Sequence, residues 1–228
     1  MRTSFRPLRT LEAPPSLKDM AFQEIKDAIL ANRLQPGGVY ADKGLAEDLG
    51  ISKTPVREAL IDLTARGFFN CLHRKGFQLK VLTEEDIRNL FDFRSILELA
   101  IIRRITPTLS DEAIQTLEKI RRQEEKIAQT GERIRFIKID RELHLYLVSL
   151  TNNPYLISSL ENLRDLIDWT GYKMLSRPER PVEAMREHKN IIDMLTLRDV
   201  EGASCKMEEH IRITERLVIS AISGTEDV

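Results

Sequence analysis

From Thr83 to Ile222 the chain keeps a helical hydrophobic period in every segment and strand alternation in none. A stretch of that length and pattern has to fold as packed amphipathic helices. Thr83 followed by Asp86 has the spacing of a capping box and opens a helix to about Ile105, just before Pro107. Further helices are expected over about Ser110–Gln129, Glu132–Leu150, Pro154–Leu175, Pro181–Leu197 and Asp199–Ile222, most of them separated by Pro, Asn-Asn-Pro or Gly. Six helices of this length can bury a core of their own, so an independent antiparallel six-helix bundle is expected over residues 83–222, with a short tail at 223–228.

The first 82 residues read differently. Residues 1–15 carry Pro7, Pro14 and Pro15 without periodicity and read as a flexible arm. Ser16 can cap a helix to about Arg33, with Met20, Ile25, Ala28 and Ile29 on its apolar side. Gln35-Pro36-Gly37-Gly38 is a turn. A short helix follows from Asp42 to Leu49, ended by Gly50 in the position where helices favour glycine. Ser52 then caps a second helix in which Pro55 is tolerated, because the first turn has no intrahelical N–H partner to lose. Two short helices joined around a glycine make a helix-turn-helix. Phe68–Leu72 and Phe77–Val81 bracket His73-Arg74-Lys75-Gly76, a hairpin with a basic tip: a wing. The fold class expected is therefore mainly α: a winged helix-turn-helix over residues 16–82, then the bundle.

Charge follows the same division. Residues 1–80 carry 13 Lys+Arg against 9 Asp+Glu, while the remainder carries 22 against 27, so a formal total of −1 hides a net +4 followed by a net −5. That asymmetry suits a nucleic-acid-facing segment joined to one with another task, although a +4 excess is also within ordinary scatter. At 42% hydrophobic and 31% charged, the chain is too apolar for disorder and too charged for a membrane protein. The longest run free of charged residues, Leu143 to Leu160, contains His144, Asn152, Asn153 and Pro154 and is not a bilayer span. The start has no apolar signal-peptide core, and two cysteines make no disulfide framework, so a cytoplasmic location is expected.

Two sets of residues carry chemistry. Lys53, Thr54 and Arg57 open the second short helix beside exposed backbone N–H groups, an arrangement that suits phosphates and major-groove base edges. Its bland counterpart is a solvated charged helix. In the bundle, Asp140 and His144 are four apart on a face with Phe136, Ile137, Leu143 and Leu147. His188 shares a face with Met185, Ile191, Ile192 and Leu195, and His210 with Met207, Ile213, Thr214 and Leu217. One Asp and three His converging between helices would make a divalent-metal site. Each histidine alone could equally be a hydrogen-bonded core residue, and Asp140 could pair with an arginine. Arg94, on the inward stripe of Ile87, Leu90, Phe91, Leu97 and Ile101, has two readings: a clamp for a ligand carboxylate, or an internal ion pair with Glu98. Trp169 and Tyr172 either line a pocket or pack.

Leu34-Gln35-Pro36-Gly37-Gly38, Leu45-Ala46-Glu47-Asp48-Leu49-Gly50-Ile51-Ser52 and Thr54-Pro55-Val56-Arg57-Glu58-Ala59-Leu60 closely resemble the winged helix-turn-helix of GntR-family bacterial transcription regulators. The second half resembles the FadR branch, whose C-terminal ligand domain is all-helical. The resemblance implies DNA contacts from Lys43, Ser52, Lys53, Thr54 and Arg57, with Lys75 and Gly76 at the wing tip reaching the minor groove. Lys53 stands where the family usually has Arg, which reads guanine more rigidly. The resemblance further implies that Asp140, His144, His188 and His210 hold a divalent metal ion (Zn, Ni, Mn or Fe), as in a metal-binding subgroup of that domain. Small carboxylates occupy the open metal positions there, so Arg94, Trp169 and Tyr172 become candidate effector contacts.

No His-Glu-x-x-His run, Gly-rich phosphate loop, Gly-x-Ser-x-Gly elbow or Cys/His dyad is present. A metal-dependent hydrolase fused to a DNA-binding domain would also leave the winged helix-turn-helix unexplained. The expectation is a non-enzymatic, ligand-responsive transcription regulator that binds a palindromic double-stranded DNA operator as a homodimer. Its affinity would be set by a small carboxylate at the metal. The alternative is a regulator whose metal is purely structural.

Overall fold

The computed structural model describes residues 14–174 and 177–223, apart from the side chains of 172–174. Most of the expected arm and tail fall outside these residues. The chain divides into two compact units, Met1–Lys80 and Val81–Val228.

In the first unit, α1 (Leu17–Leu30) opens on a capping box in which the Ser16 hydroxyl accepts from the Asp19 N–H and the Asp19 carboxylate accepts from the Ser16 N–H. It ends three residues before the expected Arg33: Asn32 takes a left-handed φ of 57°, which the α-helix cannot continue. Ala21, Ile25, Ala28 and Ile29 form its buried face, whereas Met20 points outward. α2 (Asp42–Leu49) ends on Gly50 at φ 66°, and α3 (Lys53–Ala65) begins after Ser52. Ser52 holds the N-cap position without making a side-chain capping bond, so its hydroxyl stays at an exposed surface. Val56, Ala59, Leu60 and Leu63 of α3 are fully buried.

The wing is β2 (Phe69–Leu72) and β3 (Gly76–Leu79), antiparallel, with Leu72 opposite Gly76. A third strand, β1 (Val39–Tyr40), pairs with β3 on its other side and was not expected. Two residues are too short to show alternation; what makes them a strand is the free edge of β3. This pairing decides why residue 76 is glycine. Gly76 has φ 113°, and a Cβ there would lie 2.5 Å from the Tyr40 carbonyl oxygen. Gly76→Ala is therefore expected to destabilise this unit by about 1–3 kcal/mol. Calorimetry of the full chain would read this, and an unchanged unfolding transition would refute it.

The second unit is a bundle of α4 (Glu84–Ile105), α5 (Asp111–Ala128), α6 (Arg133–Ser149), α7 (Pro154–Met174), α8 (Arg180–Thr196) and α9 (Val200–Ser223). The Thr83–Asp86 capping box is present, and Ser110 and the Asn153 carboxamide oxygen accept from the first N–H groups of α5 and α7. α9 packs against α4, α7 and α8, while α5 packs against α6 and α8. One continuous core runs through Phe91, Ile101, Leu117, Phe136, Leu147, Leu163, Ile192 and Met207. No helix of the described residues is long and apolar enough to cross a membrane. Within this apolar core lie Arg94, Glu98, Glu124, Arg164, Arg180 and the three bundle histidines, all at most 2% exposed.

Candidate metal centre and nucleic-acid interface

Ionic groups stay buried only where partners compensate the loss of water. Here the partners form one constellation. Asp140 and His144 from α6, His188 from α8 and His210 from α9 present one ligand atom each, all within 4.8 Å of one another. Donors bound at about 2.1 Å to a common ion lie within about 4.2 Å of each other, so small inward shifts suffice to close the set. The three Nε2 atoms face the centre: His188 Nε2 is 3.4 Å from His210 Nε2 and 3.5 Å from Asp140 Oδ1. Three imidazole nitrogens and a carboxylate oxygen suit a borderline divalent ion.

A second ring of side chains orients these donors, and it was largely missed in the sequence. Each histidine meets a buried or half-buried glutamate through Nδ1: His144 with Glu98, His188 with Glu124 at 2.6 Å, His210 with Glu187 at 2.7 Å. A carboxylate at Nδ1 keeps the proton there and leaves the Nε2 lone pair for a metal, the usual support of a metal-ligating histidine. Glu124 carried a signal, an acid on the apolar stripe of Leu117, Ile120 and Ile127. Glu98 was legible only as a partner for Arg94. Glu187, next to His188 in sequence, carried none.

Protonation is set by the same contacts. Burial holds His144 down to about 4, against the opposing pull of Glu98. His210 lies well below the ordinary range through burial and the neighbouring His188. His188 is raised: burial pushes it down, but Glu124, Asp140 and Glu187 together outweigh burial. Burial works against ionisation of Asp140, yet Arg164 and the histidines hold it well below the usual carboxylate range. For Glu187 burial is likewise outweighed, by His210 and Arg180, which bring it down to about 2.

Three buried arginines surround the cluster. Arg94 Nε donates to Glu98 Oε1 at 2.7 Å, so the internal ion pair exists; Arg94 Nη2 also donates to His144 Nε2 at 3.3 Å and to His210 Nε2 at 3.2 Å. Arg164 donates through Nη2 to Asp140 and to Asp168, leaving its buried Nε and Nη1 without a partner. Arg180 forks onto Glu187. All three line one cavity of about 40 Å³ with Asp140 and His210, room for a few small atoms and not for a bulky molecule. Trp169 is half-buried and is not among the residues lining it; the side chain of Tyr172 lies outside the described residues.

In the first unit, Lys53 and Arg57 stand at the start of α3 with side chains 55% and 58% exposed. Both reach Asp42, at 3.3 Å and 3.1 Å. Asp42 was absent from the candidates read in the sequence. Burial pushes its carboxyl up, but Lys53 and Arg57 bring it below its usual value. Lys43 is exposed and pairs loosely with Glu47 at 3.7 Å; Ser52, Thr54 and Lys75 are also exposed. A groove of about 450 Å³ runs between the start of α3 and the wing, lined by Asp42, Lys53, Arg57, Arg74, Lys75 and Gly76. Its cationic walls suit a polyanion.

Comparison with known proteins agrees with both halves. Residues 17–79 match the family described as bacterial regulatory proteins, gntR family, and residues 89–213, more than half of the chain, match the FCD domain. The chain is 26% identical over 201 residues to the HTH-type transcriptional regulator YdhC of Bacillus subtilis (strain 168), covering 88% of this chain and 90% of that one. Its fold is similar to that of E. coli McbR/YncC, at TM-score 0.77 and 21% identity over 90% of this chain and 98% of the other. The metal-free FCD domain of TM0439 aligns at TM-score 0.55 and 26% identity, covering 63% of this chain and 99% of that domain. The chain belongs to the GntR family of bacterial transcription regulators, with an FCD domain as its C-terminal half, and is a DNA-binding regulator rather than an enzyme.

Proposed function

We propose that the protein is a metal-dependent carboxylate sensor: residues 83–222 bind the effector, and residues 16–82 read a palindromic operator as part of a homodimer in the cytoplasm. The observation that carries this reading is the cluster of three glutamate-oriented histidines and Asp140 beside a cavity lined by three buried arginines. Asp140, His144, His188 and His210 would hold the ion, which when bound supplies a Lewis-acidic anchor for a carboxylate oxygen. The arginines then decide what is recognised. The unpartnered Nε and Nη1 of Arg164 are buried donors that carboxylate oxygens could satisfy by charge-assisted hydrogen bonds. Arg94 stands between the cluster and the cavity and would complete the clamp. Trp169 and Tyr172 find no comparable support as effector contacts.

On the operator side, Lys43, Ser52, Lys53, Thr54 and Arg57 would meet the major groove, with Lys75 and Gly76 in the minor groove. Dimerisation is supported by an unpaired apolar edge on α4, where Phe93 and Ile96 are 49% and 70% exposed. Effector binding would favour one of two arrangements of the dimer and so change operator affinity.

Elemental analysis of the purified protein, a thermal-shift screen of small carboxylates and operator titrations test this together. The expected result is about one divalent ion per chain, with carboxylates raising the melting temperature and altering operator affinity only when the ion is present. Stoichiometric metal with operator affinity indifferent to every carboxylate would instead favour a purely structural ion.

A further inference from the structure

The contacts of Arg94 hold a conflict that the proposed sensor must resolve, and the inference drawn from it rests on that metal centre. A neutral imidazole has one protonated and one bare nitrogen. In His144 and His210 the proton is placed on Nδ1 by Glu98 and Glu187, so each Nε2 has a single lone pair. Both lone pairs accept from the same Arg94 Nη2, at 3.3 Å and 3.2 Å. One lone pair cannot accept a hydrogen bond and coordinate a cation at the same time.

We infer that Arg94 is an internal stand-in for the metal, so that loading the ion requires Arg94 to release both imidazoles and hands its guanidinium to the effector. Arg94 is 1% exposed, so a released Nη2 cannot escape into water. Its Nε remains tied to Glu98 Oε1 at 2.7 Å, which restricts it to pivoting about that contact. The space open to it is the cavity it already lines, next to Arg164 and Asp140. There it is a buried cation without its former acceptors, a state that an incoming carboxylate relieves. Metal and carboxylate then bind with positive coupling, and by linkage each raises the affinity for the other by the same factor. A metal-free chain keeps the arginine occupied and offers the carboxylate little.

The competing account is that Arg94 only supports Glu98, and through it the Nδ1 proton of His144. The two differ in sign. A support that is removed weakens the site, whereas a competitor that is removed strengthens it. Zn²⁺ affinity is measured on the full chain by competition with a chelator, with free Zn²⁺ buffered, in the presence and absence of succinate. Wild-type protein is expected to bind Zn²⁺ more tightly when succinate is present. Arg94→Met, close in length and uncharged, is expected to bind Zn²⁺ at least about tenfold more tightly than wild type, and to lose the succinate enhancement. Metal binding by the variant that is weaker or unchanged, or an enhancement of wild-type size, overturns the inference while leaving the metal centre standing.

A measurement on wild type alone covers a variant that fails to fold. In a structure of the Zn²⁺-loaded protein, Arg94 Nη2 must lie beyond hydrogen-bond distance of both Nε2 atoms, and retention of either contact overturns the exchange. Wild-type protein that takes up no divalent ion overturns the metal reading and this inference together.

Discussion

His188→Ala is expected to abolish both the divalent-ion binding and the carboxylate response proposed for the C-terminal domain. Losing an outer-ring partner of a metal ligand typically lowers affinity 10- to 100-fold, and losing the ligand itself costs no less, so a drop of at least about 10-fold is expected. A second effect is independent of metal. His188 Nδ1 is the partner of Glu124 Oε1 at 2.6 Å, and Glu124 Oε2 has no partner. With the imidazole gone, a carboxylate that is 0% exposed loses its remaining contact, which costs on the order of 3–5 kcal/mol when a buried charge is left uncompensated. The variant should therefore melt earlier even without metal. The double variant His188→Ala, Glu124→Leu should regain part of that stability, since it removes the stranded charge, and should still bind no metal. Full metal occupancy in His188→Ala would count against the centre, whereas an unchanged metal-free melting temperature would count only against the role given to Glu124.

The second large effect concerns Arg57. Arg57→Ala is expected to weaken operator binding by about 1–3 kcal/mol per half-site, read by titration at fixed salt. Stability should hardly change, because the pair with Asp42 involves an arginine 58% exposed to water, and such pairs contribute little. Lys53 also keeps its own contact to Asp42, at 3.3 Å, so the carboxylate is not stranded. A loss of affinity for the operator larger than for unrelated DNA would point to base reading by Arg57. An equal loss for both, with a salt slope smaller by about one, would reassign it to a phosphate. Unchanged affinity for every DNA would remove Arg57 from the interface.

The elements were legible because their signals are local. The Thr83–Asp86 capping box, Gly50 after Leu49 and the prolines between helices each act within a few residues, where a sequence can be read directly. The bundle helices consequently fall within a residue or two of expectation. β1 was not legible, because Val39–Tyr40 becomes a strand only by meeting β3, some 38 residues later. The candidate metal donors could be nominated because a histidine or aspartate on an apolar stripe stands out against its neighbours. What surrounds them could not. Glu187 lies beside His188 in sequence, yet the histidine it meets is His210 on α9. Asp140 was open to pairing with an arginine, and the arginine is Arg164 on α7.

The sequence by itself therefore determined the family, the helical period and the four candidate donors, since each follows from residue identity and short-range spacing. Only the tertiary structure decided which nitrogen of each histidine faces the centre, which acid tethers Lys53 and Arg57, and that Arg94 takes the lone pairs a metal would need. Those are contacts between different helices, made at hydrogen-bond distance. Amphipathic periodicity records that a side chain is turned inward, and it carries no information about which of the other inward-facing side chains that one will meet.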